Sequence, residues 1–255
     1  VAASSGVHGH LGCMMCSLWQ NETLFASKNE VVSISAMMDV ELLAHRGLWN
    51  DASEKNQRRA LRCALDSGFG LETDLRDFQG QVVIAHDCPI ADHNEKITLD
   101  DLCQLYRKSA SHACLALNIK ADGLADIVHS TLLKHKIDNY FVFDMSVPDL
   151  LAHLRQSQHC FTRQSEYESV PSLLQRCEGV WLDAFESRWY GEEVIEAHLC
   201  SGKSVCIVSS ELHGRSAHEV WPLVRRVAKR NLHDARLLLC TDNPNEFKGF
   251  MNDQD

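Results

Sequence analysis

Eight short apolar runs, separated by amphipathic segments, set the tightest limit on what this chain can fold into. The runs cover 40–44, 69–75, 113–119, 140–145, 159–162, 179–182, 204–208 and 236–240. Between them lie helical patterns at 56–65, 99–108, 124–135, 148–156, 172–177, 192–200 and 217–229. Apolar strands alternating with helices predict a parallel sheet with crossover helices. Eight such units in 255 residues predict an α/β fold, a single closed (β/α)8 TIM barrel of about the usual length. An open doubly wound sheet is the runner-up, disfavoured because no glycine-rich phosphate turn follows the first run. Thr98 with Asp100 and Asp101 reads as a helix N-cap with an acidic first turn, and Pro148 and Pro171 suit opening turns. An extra run at 82–85, preceded by a Gln79-Gly80 turn, predicts a hairpin-like excursion above the barrel mouth.

Residues 1–38 lack any sustained period and read as a short N-terminal extension with no assigned role, leaving 39–255 as the barrel domain. Cys13 and Cys16 with His8 and His10 look like half of a zinc site, but no second pair follows at suitable spacing. Eleven cysteines, an odd number, with several embedded in apolar runs, favour free thiols and a reducing, cytoplasmic setting. No apolar stretch is long enough for an integral membrane segment, and no secretory leader is expected. The net charge of −10 argues against a nucleic-acid partner, which needs a basic footprint. It leaves room for a small anionic ligand held by a few local cations. Oligomeric state is not readable.

Nearly every run ends in a polar residue: His45 and Arg46, Glu72 and Asp74, Asn118 and Lys120, Asp144, Arg163, Asp183, Glu211 and Asp242. In a barrel these ends converge on one face. Glu72 and Asp74, two apart on a strand, share a side of the sheet and can share a hard cation. Asn118 can add a carbonyl oxygen, and Lys120 can neutralise phosphate as a point charge. Arg46 can fork onto phosphate oxygens. His45 and His86, each following an apolar run and each beside a polar group, suit proton transfer near neutral pH. These are the parts needed to cleave a phosphate ester. Trp181, Phe185, Trp189 and Tyr190 could stack on a substrate or simply pack.

The segments His45-Arg46-Gly47, Glu72-Thr73-Asp74, the 82–87 run ending His86-Asp87, Asn118-Ile119-Lys120, Trp181-Leu182-Asp183 and Thr241-Asp242-Asn243-Pro244 fall in an order that resembles a known family. The chain resembles the glycerophosphodiester phosphodiesterases, within the wider phosphatidylinositol-phospholipase-C-like phosphodiesterases, over about 41–247. The resemblance implies a (β/α)8 barrel, one divalent cation (Mg²⁺ or Ca²⁺), and hydrolysis of a small-molecule phosphodiester to a phosphomonoester and an alcohol. It implies His45 and His86 as the acid–base pair, Arg46 and Lys120 on phosphate, and Glu72 and Asp74 on metal. Asn118 stands where many members carry a third acidic ligand, and Asn56 stands near a Glu-Asn-Thr position. Phe143-Asp144-Met145-Ser146, the stretch from Thr162 to Glu166, and Ser210-Glu211-Leu212-His213-Gly214-Arg215 are similar to a subgroup of short bacterial members. That similarity implies that Asp144, Arg163, Glu166, Asp183, Glu211 and Arg215 line the substrate end of the pocket, with Trp181 a further candidate beside them.

The mechanism expected from this reading has His45 as base and His86 as acid, with water or a substrate hydroxyl as nucleophile. A non-catalytic barrel that binds a phosphate ester through a degraded metal site is the alternative. A metal-dependent hydrolase of another bond fits less well, because only two histidines are placed. A cysteine nucleophile fits least, because none has a local activating partner.

Overall fold

The eight apolar runs become the strands of a nearly closed parallel barrel. The computed structural model describes residues 38–90, 96–110, 112–230 and 235–253. Strands β1 (Val40–His45), β2 (Gly70–Phe78), β4 (Leu115–Ile119), β5 (Tyr140–Phe143), β6 (Phe161–Gln164), β7 (Gly179–Leu182), β8 (Ser204–Val208) and β9 (Leu237–Thr241) lie in the order β5-β4-β2-β1-β9-β8-β7-β6. The predicted excursion is β3 (Gln81–Ile84), which pairs antiparallel with the far end of β2. Closure between β5 and β6 rests on one parallel bridge, Val142 to Cys160, and on the Val142 amide donating to the His159 carbonyl at 2.8 Å.

Helices α1 (Arg58–Asp66), α2 (Leu99–Lys108), α3 (Ala125–His135), α4 (Val147–Arg155), α5 (Glu192–Cys200), α6 (Trp221–Arg230) and α7 (Pro244–Asn252) complete the alternation. The cap expected at Thr98 is a full capping box with Asp101, which satisfies two otherwise orphaned donors. Two expectations change. The pattern at 172–177 yields only a 3₁₀ turn, Leu174–Arg176, because Leu173 sits at φ 53 and breaks the helical path. Helix α7 was not anticipated. Its apolar side is short, yet Phe247 and Phe250 pack on Trp221 with ring centroids 5.4 and 5.7 Å away. The proposed extension and its Cys13/Cys16 pattern lie outside the described residues, except Met38. That residue is buried and donates its amide to the Ala228 carbonyl, so it belongs to the barrel.

Strand alternation sorts the core into two shells. The outer one, between strands and helices, includes Leu42, Ala44, Leu71, Val180 and Leu239. The inner one plugs the barrel with Leu43, Ala116, Phe141, Phe161, Trp181 and Cys240 among others. Its aromatic side carries two stacks, Phe141 on Phe161 at 3.9 Å and Phe143 on Trp181 at 3.8 Å. The first spans the β5–β6 seam, where the backbone ladder is thinnest. Below the plug, Arg236 grips Glu41 through two bonds of 2.6 Å and reaches Asn139. Trp181→Ala should therefore cost about 3–5 kcal/mol. Urea unfolding with the m-value unchanged is the measurement, and a loss under about 1 kcal/mol would show that the stack does not hold the plug.

Candidate active site

Inward-facing positions run on past the plug to the carboxyl ends of the strands. His45 follows Leu43 by two, Asn118 follows Ala116, Arg163 follows Phe161, Asp183 follows Trp181 and Asp242 follows Cys240. Glu72 and Asp74 continue the inward face from Gly70. The barrel thus presents apolar residues at mid-height and ionisable ones at its rim.

One wall holds a paired histidine. Asp242 Oδ1 lies 2.6 Å from His45 Nδ1. Because an ionised carboxylate only accepts, that nitrogen carries the proton and Nε2 keeps its lone pair. Nε2 lies 3.9 Å from Glu72 Oε2. Burial holds the His45 pKa below the usual value, against the pull of Asp242 and helped by the Arg46 and Lys55 cations. Burial acts to raise Asp242, but the His45 and Lys55 contacts prevail and its pKa is lowered. Glu211 braces this pair from behind. It accepts hydrogen bonds from Thr241 Oγ1, Ser209 Oγ and the Asp242 amide.

Next to it stand three buried oxygens with no hydrogen-bond partner: Glu72 Oε2, Asp74 Oδ1 and Asn118 Oδ1. Asp74 and Asn118 are register partners on β2 and β4. Desolvation, then the Asp74 charge, push the Glu72 carboxyl up to about 8, against Arg46, Lys120 and a hydrogen bond from Asn118. The other Asp74 oxygen accepts from Asn56 Nδ2 at 2.9 Å and sits 2.8 Å from Arg46 Nε. Asn56 is itself fixed by Thr73 Oγ1 at 2.8 Å. Arg46 turns into the site at φ 58, followed by Gly47 at φ 99. A side chain at Gly47 would meet the Ala60 backbone at 2.6 Å, so the turn needs glycine there.

From Asp74 the charges alternate around the rim. Lys120 Nζ lies 3.7 Å from Asp74 Oδ1 and donates to Asp144 at 3.2 Å. Asp144 also accepts from Arg163, which binds Glu168 in turn. The remaining expected residues divide by role. Trp181 lies in the plug rather than in the mouth. Glu166 accepts from the Phe185 and Glu186 amides, and Arg215 donates to the Ala184 and Phe185 carbonyls. Both therefore tie down the loop after β7. Asp183 accepts from His213 Nε2 at 2.7 Å. His86 sits just past β3, next to Ala85, whose amide donates to the Asp74 carbonyl. Its imidazole is half exposed and pairs with the exposed Asp87 at 2.8 Å; no contact joins it to His45, Glu72 or Asp74 among the described residues.

Sequence reasoning gave no role to Lys55 or His213 and left Asp242 outside the site proper. Asp242 had a signal, its even spacing from the apolar strand residue Cys240. Lys55 and His213 had none, because they arrive on irregular segments where strand parity says nothing. Among the described residues no three His, Cys, Asp or Glu side chains gather as a metal cluster; the third oxygen here is an amide. A cavity of about 550 Å³ lies at the other end of the barrel, beside Val40, Gly70, Ala113 and Lys248, away from these groups.

No protein-family profile and no curated protein sequence matches the chain. Solved structures do. A Galdieria sulphuraria protein described as a candidate glycerophosphodiester phosphodiesterase aligns over 86% of this chain and 100% of its own, with TM-score 0.67 and 16% identity. An Oleispira antarctica phosphodiesterase, solved with its product sn-glycerol-3-phosphate, aligns over 84% and 97%, with TM-score 0.57 and 15% identity. A Ca²⁺-dependent phosphatidylinositol-specific phospholipase C from Streptomyces antibioticus aligns over 82% and 96%, with TM-score 0.50 and 13% identity. The chain thus has the (β/α)8 barrel fold of the glycerophosphodiester phosphodiesterases and phosphatidylinositol-specific phospholipases C, the two groups that its sequence motifs resemble.

Proposed function

We propose that the protein is a phosphoric diester hydrolase acting on a small glycerophosphodiester-like molecule or lipid headgroup. The observation that carries this reading is the trio of unpartnered buried oxygens on Glu72, Asp74 and Asn118, set beside Arg46 and Lys120 and facing His45. Buried acceptors without donors are costly, and oxygen donors of this kind fit a hard divalent cation, Mg²⁺ or Ca²⁺. Such a cation, when bound there, would polarise a phosphoryl oxygen and offset the two carboxylates.

The chain's own groups supply the rest. Arg46 and Lys120 hold the other phosphate oxygens and stabilise charge as the displacement proceeds. His45 Nε2 takes the proton of the nucleophile, with Asp242 fixing the ring and stabilising the imidazolium that forms. The lowered pKa of His45 keeps it neutral and able to accept. His86 is the candidate proton donor to the leaving alkoxide, a role that rests on the sequence resemblance. No helix among the described residues is long and apolar enough to cross a membrane. One observation favours the second reading, a phosphate-ester binder without turnover: the third oxygen donor is a neutral amide.

Hydrolysis of bis(p-nitrophenyl) phosphate in Mg²⁺ or Ca²⁺, abolished by chelator and by Asp74→Asn, is the expected result. Tight binding of diesters with no turnover across metals would select the binder instead. His45→Ala should lower kcat on the order of 10²–10⁴-fold, and Asp242→Asn about 10²-fold by releasing the ring. Near-native turnover by both His45→Ala and His86→Ala would remove the acid–base assignment. Glu72 also predicts a pH dependence of stability. Its folded pKa of about 8 exceeds the ordinary 4.5, so its contribution is complete at low pH and lost as pH rises through about 8. The melting temperature of metal-free protein should fall over that window, and Glu72→Gln should flatten the fall; an unaltered slope would assign it elsewhere.

A further inference from the structure

The β6–β8 arc of the rim carries polar groups that the proposed chemistry does not use. Asp183 has a side chain only 8% exposed. Its Oδ1 is saturated by His213 Nε2 at 2.7 Å and the Ala184 amide at 2.8 Å. Its Oδ2 has no hydrogen-bond partner among the described residues, although Asp183 continues the inward face of β7. The bond from His213 Nε2 fixes that ring's tautomer and leaves Nδ1 as a free acceptor. His213 meets Phe185 edge-on at 5.1 Å, and the Arg163 guanidinium lies over the same ring at 5.7 Å. Ser210, two residues past the inward Val208, is 1% exposed and its hydroxyl is unpartnered. Two fixed acceptors, a guanidinium donor and an aromatic face form a wall suited to hydroxyl groups on a carbon skeleton. A plain alkyl chain seated there would displace water from those acceptors without replacing its hydrogen bonds.

The geometry points to His213, held by Asp183, as a specificity-determining residue that reads a hydroxyl on the alcohol half of the substrate. This rests on the diesterase reading and adds to it a preference for hydroxylated over plain alcohols. The lever is a pair of acceptors that a bound alcohol shields from water: a hydroxyl donates to Asp183 Oδ2 or His213 Nδ1 and accepts from Arg163, while the carbon face lies on Phe185.

The test uses matched methyl phosphodiesters that differ only in hydroxyls, glyceryl against propyl and inosityl against cyclohexyl. Wild-type kcat/KM should favour the hydroxylated member of at least one pair by about 10–100-fold, chiefly through KM. His213→Gln and Asp183→Asn should bring that ratio toward one. Asp183 also holds the Ala184 amide, so His213→Gln, which spares that bond, carries the test if Asp183→Asn melts early. Equal wild-type rates within both pairs, or a ratio that survives His213→Gln, overturns the inference. Calorimetry with glycerol phosphate against propyl phosphate separates this from the parent reading. Tighter binding of the polyol phosphate, lost in His213→Gln, with no hydrolysis of any diester would keep the subsite and remove the hydrolase. No difference in binding and no difference in rate would remove the subsite alone in an active enzyme.

Discussion

The rim depends on how one wholly buried carboxylate is compensated. Asp74 is 0% exposed, and a charge so placed is tolerable only when paired and hydrogen-bonded. Asn56 hydrogen-bonds one oxygen, Arg46 pairs with the same oxygen in charge, and Lys120 approaches the other. Each of these partners is drawn from a different part of the chain: the β1 turn, the loop before α1, and the end of β4. The carboxylate therefore gathers the first half of the barrel's loops around itself. It also starts the alternation of charge that continues through Lys120, Asp144 and Arg163 to Glu168. In this series no cation stands alone, so on the proposed reading an incoming phosphate would compete for Arg46 and Lys120 with carboxylates already in place. A divalent cation on the free oxygens would loosen that competition by drawing the carboxylates to itself.

Much of this was legible in the sequence, for a reason that can be stated residue by residue. A parallel strand buried on both faces is a continuous apolar run, and a polar residue at its end marks where the plug stops. His45, Glu72, Asp74, Asn118 and Lys120 were visible because they sit on that boundary. The eight strands and the β3 excursion were visible because each is a short apolar run bounded by polar or turn residues. What escaped detection lies where periodicity carries no information. Lys55 comes from the irregular segment before α1, and His213 from a 3₁₀ turn after β8. Glu211 and Arg215 were visible as polar residues, but a letter cannot say whether a charge faces a ligand or a backbone. In the structure Glu211 accepts from Thr241, Ser209 and the Asp242 amide, and Arg215 donates to the Ala184 and Phe185 carbonyls. Trp181 was ambiguous in the same way, and only its stack on Phe143 places it in the core.

The two halves of the rim differ in construction. The β1–β2–β4–β9 side combines continuous ladders of three to five register pairs with the Asp242–His45 pair and its Glu211 brace. The β5–β6 side is joined by a single bridge, by aromatic stacking and, at the rim, by the Asp144–Arg163 ion pair. Backbone hydrogen bonds are directional and resist sliding, whereas stacked rings tolerate it. Local opening is cheapest where ladder bonds are few. On the diesterase reading, the barrel is therefore stiffer where protons and charge would be managed and easier to open along the backbone of the β5–β6 seam. Under that reading, a scaffold with its give concentrated along one seam would admit alcohols of different girth there without disturbing the angle at which phosphorus is attacked.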